Sequence, residues 1–544
     1  MASLHHPCLE TFQRWESGHT ATGREATGQS TCRDGTRRSP WESVDGRNTV
    51  GFGRADSDHY ALYRNYILLL PNMSPNLRKS FMKNWFAVEA TPIFAVMGVA
   101  VLGAGWYLTR LARGPTVIWT RDNPTPWNDI QPNEGTKLLT VNQHFEKSTM
   151  VIKLDSPQPV FSLPGLDVPD EDEDRPANGS SLSTVGSLGL SEIVFGAAAL
   201  STIYNKDEHL SSFTPVRTVR LALRYGVNAF DTSAYYGESE IVLGTALKAL
   251  EVDFPRSAYK LMTKCGRYGS PRSDFDYSPA TLRASIQRSL KRLNTTYLDA
   301  VYLHDVEFVA TQVGPREDGH PTDALKPENL EKYGLADGQE SKVWGDGDQL
   351  ILDGLVELQK MKDEGIVKAI GITGYPLPTL LRLALLVLHT APYKPLDVLL
   401  SYSHLTLQNS AFAEFAPLLR ERARVGQLLT ASPLNMGLLT PNPPKWHPAP
   451  PELKEAVKKV EEACADWDGR MVNIAVGYGY RKAAELSVPM VAGLSNPREV
   501  HESMRAWRDL KQSSEKRIAQ EQKAFEIFDG YQGWSWASPP DNLL

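Results

Sequence analysis

The stretch NAFDTSAYYGESEIVLGTALKAL, Asn228–Leu250, carries the unit from which the fold can be read. NAFDTS is a short apolar run suited to a buried strand, and ESEIVLGTALKAL, after a glycine, has a helical pattern. The same alternation recurs along the second half of the chain. Strand-like runs stand at SEIVFG, YKLMTK, LDAVYLHD, VKAIGITG, LDVLLSYS, GQLLTAS and VPMVAGL. Between them lie helical patterns such as PVRTVRLALRYG, PATLRASIQRSLKRL, LILDGLVELQKMKDEG and PELKEAVKKVEEACADW. Eight strands alternating with helices predict an α/β fold of the (β/α)8 TIM-barrel type over residues 190–512. An open doubly wound sheet is the alternative, but its usual GxGxxG after an early strand is missing. A polar insertion, Thr311–Asp348, separates the fourth strand from its helix and reads as a loop over the C-terminal face of the barrel, a lid.

The chain has 544 residues, long for one domain, so a large domain with an added module is expected. The net charge of −6 argues against a nucleic-acid partner. Cys8, Cys32, Cys265 and Cys464 show no CxxC spacing. They suggest neither a disulfide scaffold nor a metal site, and they fit a reducing compartment. Residues 1–72 read as a disordered leader, the first 58 having no apolar period. PIFAVMGVAVLGAGWYLTRL, Pro92–Leu111, would be about 30 Å long as a helix and is read as a single membrane span inside a module at 73–148. Arg78, Lys79 and Lys83 precede it and Arg113 follows, so charge sets no orientation. Residues 149–189, with the acidic run DEDED at Asp170–Asp174, read as a solvated linker. Residues 513–544 read as a C-terminal helix and tail.

Barrel enzymes place their chemistry at the C-terminal ends of the strands. The second strand ends at Asp231, with Tyr235 and Tyr236 in its loop; the third ends at Lys264 and the fourth at His304. A carboxylate, a phenol, an amine and an imidazole thus converge on one rim. A carbonyl reductase needs this set, because hydride attack leaves an alkoxide that must be protonated, and the reverse reaction must remove that proton. A phenol can do both once a neighbouring ammonium lowers its pKa from about 10. A carboxylate would position the ammonium, and an imidazole would orient the substrate oxygen.

Together DTSAYYG, MTK, YLHD and EGIVKAIGITGY resemble the aldo-keto reductase family, over about Ser191–Leu510. The resemblance selects Tyr236, the tyrosine directly before glycine, as proton donor and acceptor. It implies Lys264 and Asp231 as its tuning pair, and His304 as the orienting residue. It also implies a nicotinamide cofactor lying across the later strand ends, at Thr373, Gly374, Ser401, Ser432, Leu434, Gly493, Asn496, Arg498 and Glu499. The amides opening the helix after Asn496 would favour its phosphates. Two features depart from the family pattern. Ala431 stands where a tyrosine stacks on the nicotinamide. Gly493 and Glu499 stand where basic residues hold a 2′-phosphate, and a carboxylate there suits a ribose hydroxyl. NAD is therefore favoured, with dual use of NADP as the fallback. ASPLNMGLLT and SYSHLTLQN are similar to the D-arabinose and L-galactose dehydrogenase branch, which implies oxidation of an aldose at its anomeric carbon to a lactone. For the sugar pocket His404, Asn409 and Asn435 are candidates, though ordinary loop polar groups are the more economical reading.

A second resemblance covers about Lys79–His144. FMKNWF, VIWTRDNPTPWND and LLTVNQHF are similar to the small MLRQ-type subunit of mitochondrial respiratory complexes. It implies an inner-membrane location, with respiratory-complex subunits as partners and anchoring through 92–111; a barrel made without this module would be cytoplasmic. Two alternatives to a tethered sugar dehydrogenase follow: an accessory membrane protein carrying a passenger or redox-sensing barrel, and two proteins joined by an inaccurate gene model.

Overall fold

The computed structural model describes residues 91–112, 163–510 and 515–543. The leader and the WxRxNPxPWN string fall outside them. The chain divides between Pro132 and Asn133 into two units, each described by itself.

In the first unit Thr91–Ala112 is a helix of 22 residues. Its large apolar side chains, among them Val99, Leu102 and Trp106, are exposed. Among the described residues no helix is long and apolar enough to cross a membrane. The helix covers Pro92–Leu111, where the span was expected, but the side chains of Pro92, Phe94, Ala95, Arg110 and Leu111 lie outside the described residues.

The second unit contains a closed, all-parallel barrel. Its strands are β1 Ile193–Gly196, β2 Ala229–Asp231, β3 Lys260–Cys265, β4 Ala300–Leu303, β5 Ile370–Gly374, β6 Val398–Tyr402, β7 Gln427–Ala431 and β8 Met490–Gly493, with β8 paired to both β7 and β1. Around it run α1 Thr214–Arg224, α2 Ser239–Ala249, α3 Pro279–Arg292, α4 Asp346–Asp363, α5 Leu377–Leu388, α6 Phe412–Glu421, α7 Pro451–Ala463, α8 Arg470–Glu485 and α9 Pro497–Asp509, followed by α10 Glu515–Ile527. The strands are apolar on both faces, as a sheet buried on both sides requires. Val194, Ala229, Met262, Ala300, Tyr302, Val398, Leu400, Leu429 and Val491 fill the barrel interior. Their neighbours Phe195, Phe230, Leu261, Val301, Leu303, Leu399 and Leu428 pack outward against the helices.

This two-residue period decides where the chemistry points. Asp231 follows inward Ala229 by two, Lys264 follows Met262, and His304 follows Tyr302. All three therefore face into the barrel at its C-terminal end.

Two expected boundaries shift. The described part of the expected linker, from 163 onward, is folded onto the barrel. Asp174 is fully buried, 2.9 Å from Arg217 Nε and 2.5 Å from Arg220 Nη2, and Arg224 holds Asp170 at 2.7 Å. The three arginines are spaced three and four along α1 and so share one face. A hairpin, Thr184–Val185 with Leu190–Ser191, follows, and Leu190 packs with the barrel-interior residues. The 311–348 insertion is likewise pinned. Buried Asp348 pairs with Arg382 at 2.7 Å and accepts from the Thr311 and Trp344 amides.

Candidate active site

Gly237 adopts φ 53°, a left-handed turn open to glycine without penalty, and returns the chain from Tyr236 into α2. Thr232 Oγ1 meets Ser239 Oγ at 2.8 Å, and Ser239 Oγ donates to the Ala197 carbonyl at 2.6 Å, clamping the turn. Gly266, φ 93°, ends β3 beneath the Tyr277 ring, where a Cβ would collide with the ring. The Tyr277 hydroxyl in turn donates to the His304 carbonyl at 2.6 Å.

Lys264 Nζ lies 2.5 Å from Asp231 Oδ1 and donates to the Thr232 carbonyl at 3.0 Å. It also sits 4.7 Å from the Tyr236 ring centroid, close enough for its charge to act on the phenol. The Tyr236 and His304 rings meet edge-on, 5.6 Å apart. Tyr236 is half-buried, whereas Asp231, Lys264 and His304 are buried. The structure thus brings the four sequence-selected residues together.

Their electrostatics depart from the expectation in one respect. Burial raises the Tyr236 phenol above its usual pKa, and the lowering by Lys264 does not overcome it. Burial likewise raises Asp231 against the pull of Lys264. Burial would lower Lys264, but Asp231 and Tyr236 prevail and hold it protonated. His304 is pushed well below the usual imidazole range by burial, then by Lys264 and Arg267, and is neutral.

Ser233, passed over in the sequence, sets the tautomer of that neutral ring. Its hydroxyl accepts from the Tyr235 amide at 3.1 Å and lies 2.9 Å from His304 Nδ1. With Ser233 donating to Nδ1 the ring proton sits on Nε2, the nitrogen that has the Asp305 carboxylate 3.6 Å away. Arg267 and Asp305 were also missed. They form a buried ion pair, and Asp305 Oδ2 lies 3.6 Å from His304 Nε2. The Arg267 guanidinium stacks over Tyr235 at 3.9 Å, making Tyr235 a wall of the site. The signal in the sequence was the aspartate directly after the strand-end histidine.

The remaining sequence-predicted residues spread around the other half of the mouth. Thr373 and Gly493 follow the inward parity of Ala369 and Val491 and face the mouth, with Gly493 exposed. Gly374 has Glu307 packed against it. Ser401 shares the parity of outward Leu399, and its buried hydroxyl has no partner among the described residues. Ser432 takes φ 62°, and Leu434 packs with the α7–α8 core. Asn496 caps α9 by accepting from the Glu499 amide at 3.0 Å. The Glu499 carboxylate is held by the Ser495 amide at 2.7 Å and Asn496 Nδ2 at 2.9 Å, while Arg498 is largely exposed. Beside Ala431, in register with it, stands Tyr402, an inward aromatic ring at the level where the resemblance expects one.

A nicotinamide nucleotide fits this half. Ser403 keeps a buried hydroxyl without a partner among the described residues, next to Ala431, a ready contact for an amide. Gly493 leaves the β8 end open, and α9 points its N-terminus at the same turn. Non-glycine residues in the left-handed region gather here too: Ser403, Ser432, Asn435 and Met436. Such strain is held where a site requires it.

The C-terminal tail closes one side of the mouth. Ser535 pairs with Gly319 of the insertion at 2.7 and 2.9 Å, and Trp536 stacks on Tyr375 at 4.5 Å. His404 and Asn409 hold the Ser535 hydroxyl at 3.1 and 2.9 Å, and Asn435 donates to Gln408 at 2.9 Å. These three buried groups fasten the tail rather than line a sugar pocket. A cavity of about 120 Å³ separates insertion from tail, touching Glu307, Arg316, His404 and Trp536 but none of the four acid–base residues.

Comparison with known proteins agrees with this geometry. A profile described as NADH-ubiquinone reductase complex 1 MLRQ subunit spans residues 85–136. Cytochrome c oxidase subunit NDUFA4 of Homo sapiens is 44% identical over 57 residues, 10% of this chain and 70% of that protein. L-galactose dehydrogenase of Arabidopsis thaliana is 36% identical over 334 residues, 60% of this chain and 88% of that protein. D-arabinose 1-dehydrogenase of Saccharomyces cerevisiae is 32% identical over 313 residues, 57% of this chain and 81% of that protein. With the Aldo/keto reductase family profile matching residues 192–523, over a barrel whose inward strand ends carry Asp231, Lys264 and His304, the chain belongs to the aldo/keto reductase family.

Proposed function

We propose that the chain is an NAD-linked aldose dehydrogenase that oxidises the anomeric carbon of a D-arabinose- or L-galactose-like sugar to its lactone. The observation that carries the reading is the buried Asp231–Lys264 pair held against the Tyr236 phenol opposite a neutral His304. The two sugar dehydrogenases among its relatives support the substrate class.

When bound, the nicotinamide nucleotide supplies the hydride acceptor; Thr373, Ser403, Ser432, Gly493 and the α9 N-terminus would hold it. The chain's own residues manage the proton. His304 Nε2–H donates to the C1 oxygen and fixes it beside Tyr236. The phenolate of Tyr236 takes the C1 hydroxyl proton, and the Lys264 ammonium stabilises that phenolate. Asp231 keeps Lys264 charged and in place. Since burial holds the resting phenol protonated, oxidation should accelerate as pH rises, and carbonyl reduction should not. The Glu499 carboxylate at the α9 N-terminus would repel a 2′-phosphate, which favours NAD over NADP. The segment 85–136 supports association with a mitochondrial respiratory complex.

The deciding experiment assays full-length protein on D-arabinose and L-galactose with NAD and NADP, beside Tyr236→Phe. Lactone formation by the wild type alone, with nucleotide binding kept by the variant, supports the reading; loss of binding in the variant refutes the proton-transfer role. Co-fractionation with respiratory complexes tests the association.

A further inference from the structure

Asp305 is unused by the proton chemistry just described, yet it lies deep in the mouth. Its backbone is held at φ 52°, a conformation that costs a β-carbon residue energy and must be imposed by its surroundings. Arg267 binds Oδ2, and the same Oδ2 is 3.6 Å from His304 Nε2, the nitrogen proposed above to hold the C1 oxygen. Oδ1 makes no capping bond to the turn that follows and accepts no hydrogen bond among the described residues. A carboxylate anchored through one oxygen keeps the other as an acceptor for a donor that enters the mouth.

The substrate geometry supplies one. An oxygen bound to His304 Nε2 sits about 2.8 Å from that nitrogen. In an aldose the oxygen on the adjacent carbon lies about one hydrogen-bond length beyond it. The Asp305 carboxylate is within 3.6 Å of that same nitrogen, and the Arg267 stack on Tyr235 restrains it there. We propose that Asp305, positioned by Arg267, accepts a hydrogen bond from the C2 hydroxyl and makes the site selective for α-hydroxy carbonyl compounds and their cyclic aldoses. This deepens the aldose reading above and rests on it for the oxidative direction.

A site built to bind a hydroxyl rejects the analogue lacking it, because the buried acceptor is left unpaired. Full-length protein would be assayed in both directions: D-arabinose against 2-deoxy-D-arabinose for oxidation, and glyceraldehyde against 3-hydroxypropanal for reduction. The wild type should prefer the α-hydroxy member of each pair by about 100-fold or more in kcat/KM. In Asp305→Asn the amide carbonyl turns to Arg267 and an NH₂ faces the sugar. That variant should lose most of the preference, through a large fall on the α-hydroxy compounds and a much smaller one on their analogues. The wild-type comparison needs no variant, so a folding defect in Asp305→Asn leaves the test intact. Equal wild-type rates within each pair, or equal losses on both members, overturn the inference. Preference for glyceraldehyde without any aldose oxidation would sink the dehydrogenase reading while sustaining this one. A chain inert toward all four compounds overturns both.

Discussion

The β2–β4 rim and the β6–β8 rim belong to one barrel but hold their residues by opposite means. On the first, each strand end delivers one inward side chain, and the three are locked by an ion pair and a hydroxyl: Asp231 to Lys264 at 2.5 Å, Ser233 to His304 at 2.9 Å. On the second, the mouth is shaped by backbone, with Ser403 and Ser432 both at φ 62°, and by a tail more than 100 residues downstream of β6. The contrast suggests that a proton-transfer corner is written into local sequence, while a cofactor-and-lid corner is written into long-range packing.

The sharpest attempt to break the contrast is Tyr236→Phe. General acid–base catalysis is worth roughly 10²–10⁴-fold. The variant should lose turnover at the upper end of that range while NADH fluorescence titration shows binding within a few fold. Strong loss of binding would mean the two rims are not separable.

Next comes pH. In the wild type the oxidative kcat should rise about tenfold per pH unit until the phenol titrates, because only the phenolate accepts the proton. A pH-independent oxidative kcat would remove Tyr236 from the role.

Glu307, buried between the two rims, tests the packing side. Burial, then the Asp305 charge, pushes its carboxyl up to about 8 from an ordinary 4.5. A carboxyl raised on folding contributes its full stability below the unfolded value and loses it as pH climbs toward the folded one. Glu307→Gln should therefore match the wild type in thermal unfolding near pH 4.5. It should become progressively more stable toward pH 8, by up to roughly 4 kcal/mol at about 1.4 kcal/mol per unit. Curves that run parallel over that window would show that the carboxyl carries no such penalty.

The smallest expected effect is on cofactor choice. Glu499→Lys removes a carboxylate that braces the Ser495 turn and adds a cation. It should shift the NAD to NADP ratio of kcat/KM by about tenfold toward NADP, a change near 1.4 kcal/mol. An unchanged ratio would detach Glu499 from recognition and leave it a helix cap.

What the sequence revealed follows the same division. The barrel and the convergence of its proposed proton-transfer residues were legible because period-two alternation fixes direction: once Ala229, Met262 and Tyr302 read as interior, Asp231, Lys264 and His304 must be interior too. Three other readings turned on packing that the sequence does not show. The acidic run at 170–174 has the composition of a solvated linker. Its partners, Arg217, Arg220 and Arg224, look like an ordinary exposed helix face until the two are placed together, where Asp174 becomes one of the most buried charges in the protein. Lys264 was expected to bring the phenol down, and it does pull that way, but sequence carries no measure of burial, and burial prevails. His404 and Asn409 offered sugar-binding chemistry in one dimension and proved to be clasps for residues more than 100 positions away.

The pairing of Ser535 with Gly319 has a consequence in time. The barrel strands, the last ending at Gly493, all precede Ser535 in the chain and can close before it is made. The entrance acquires its finished outline only once Ser535 has been added and has found Gly319. A newly made molecule would therefore hold its strand ends in place before its doorway takes shape.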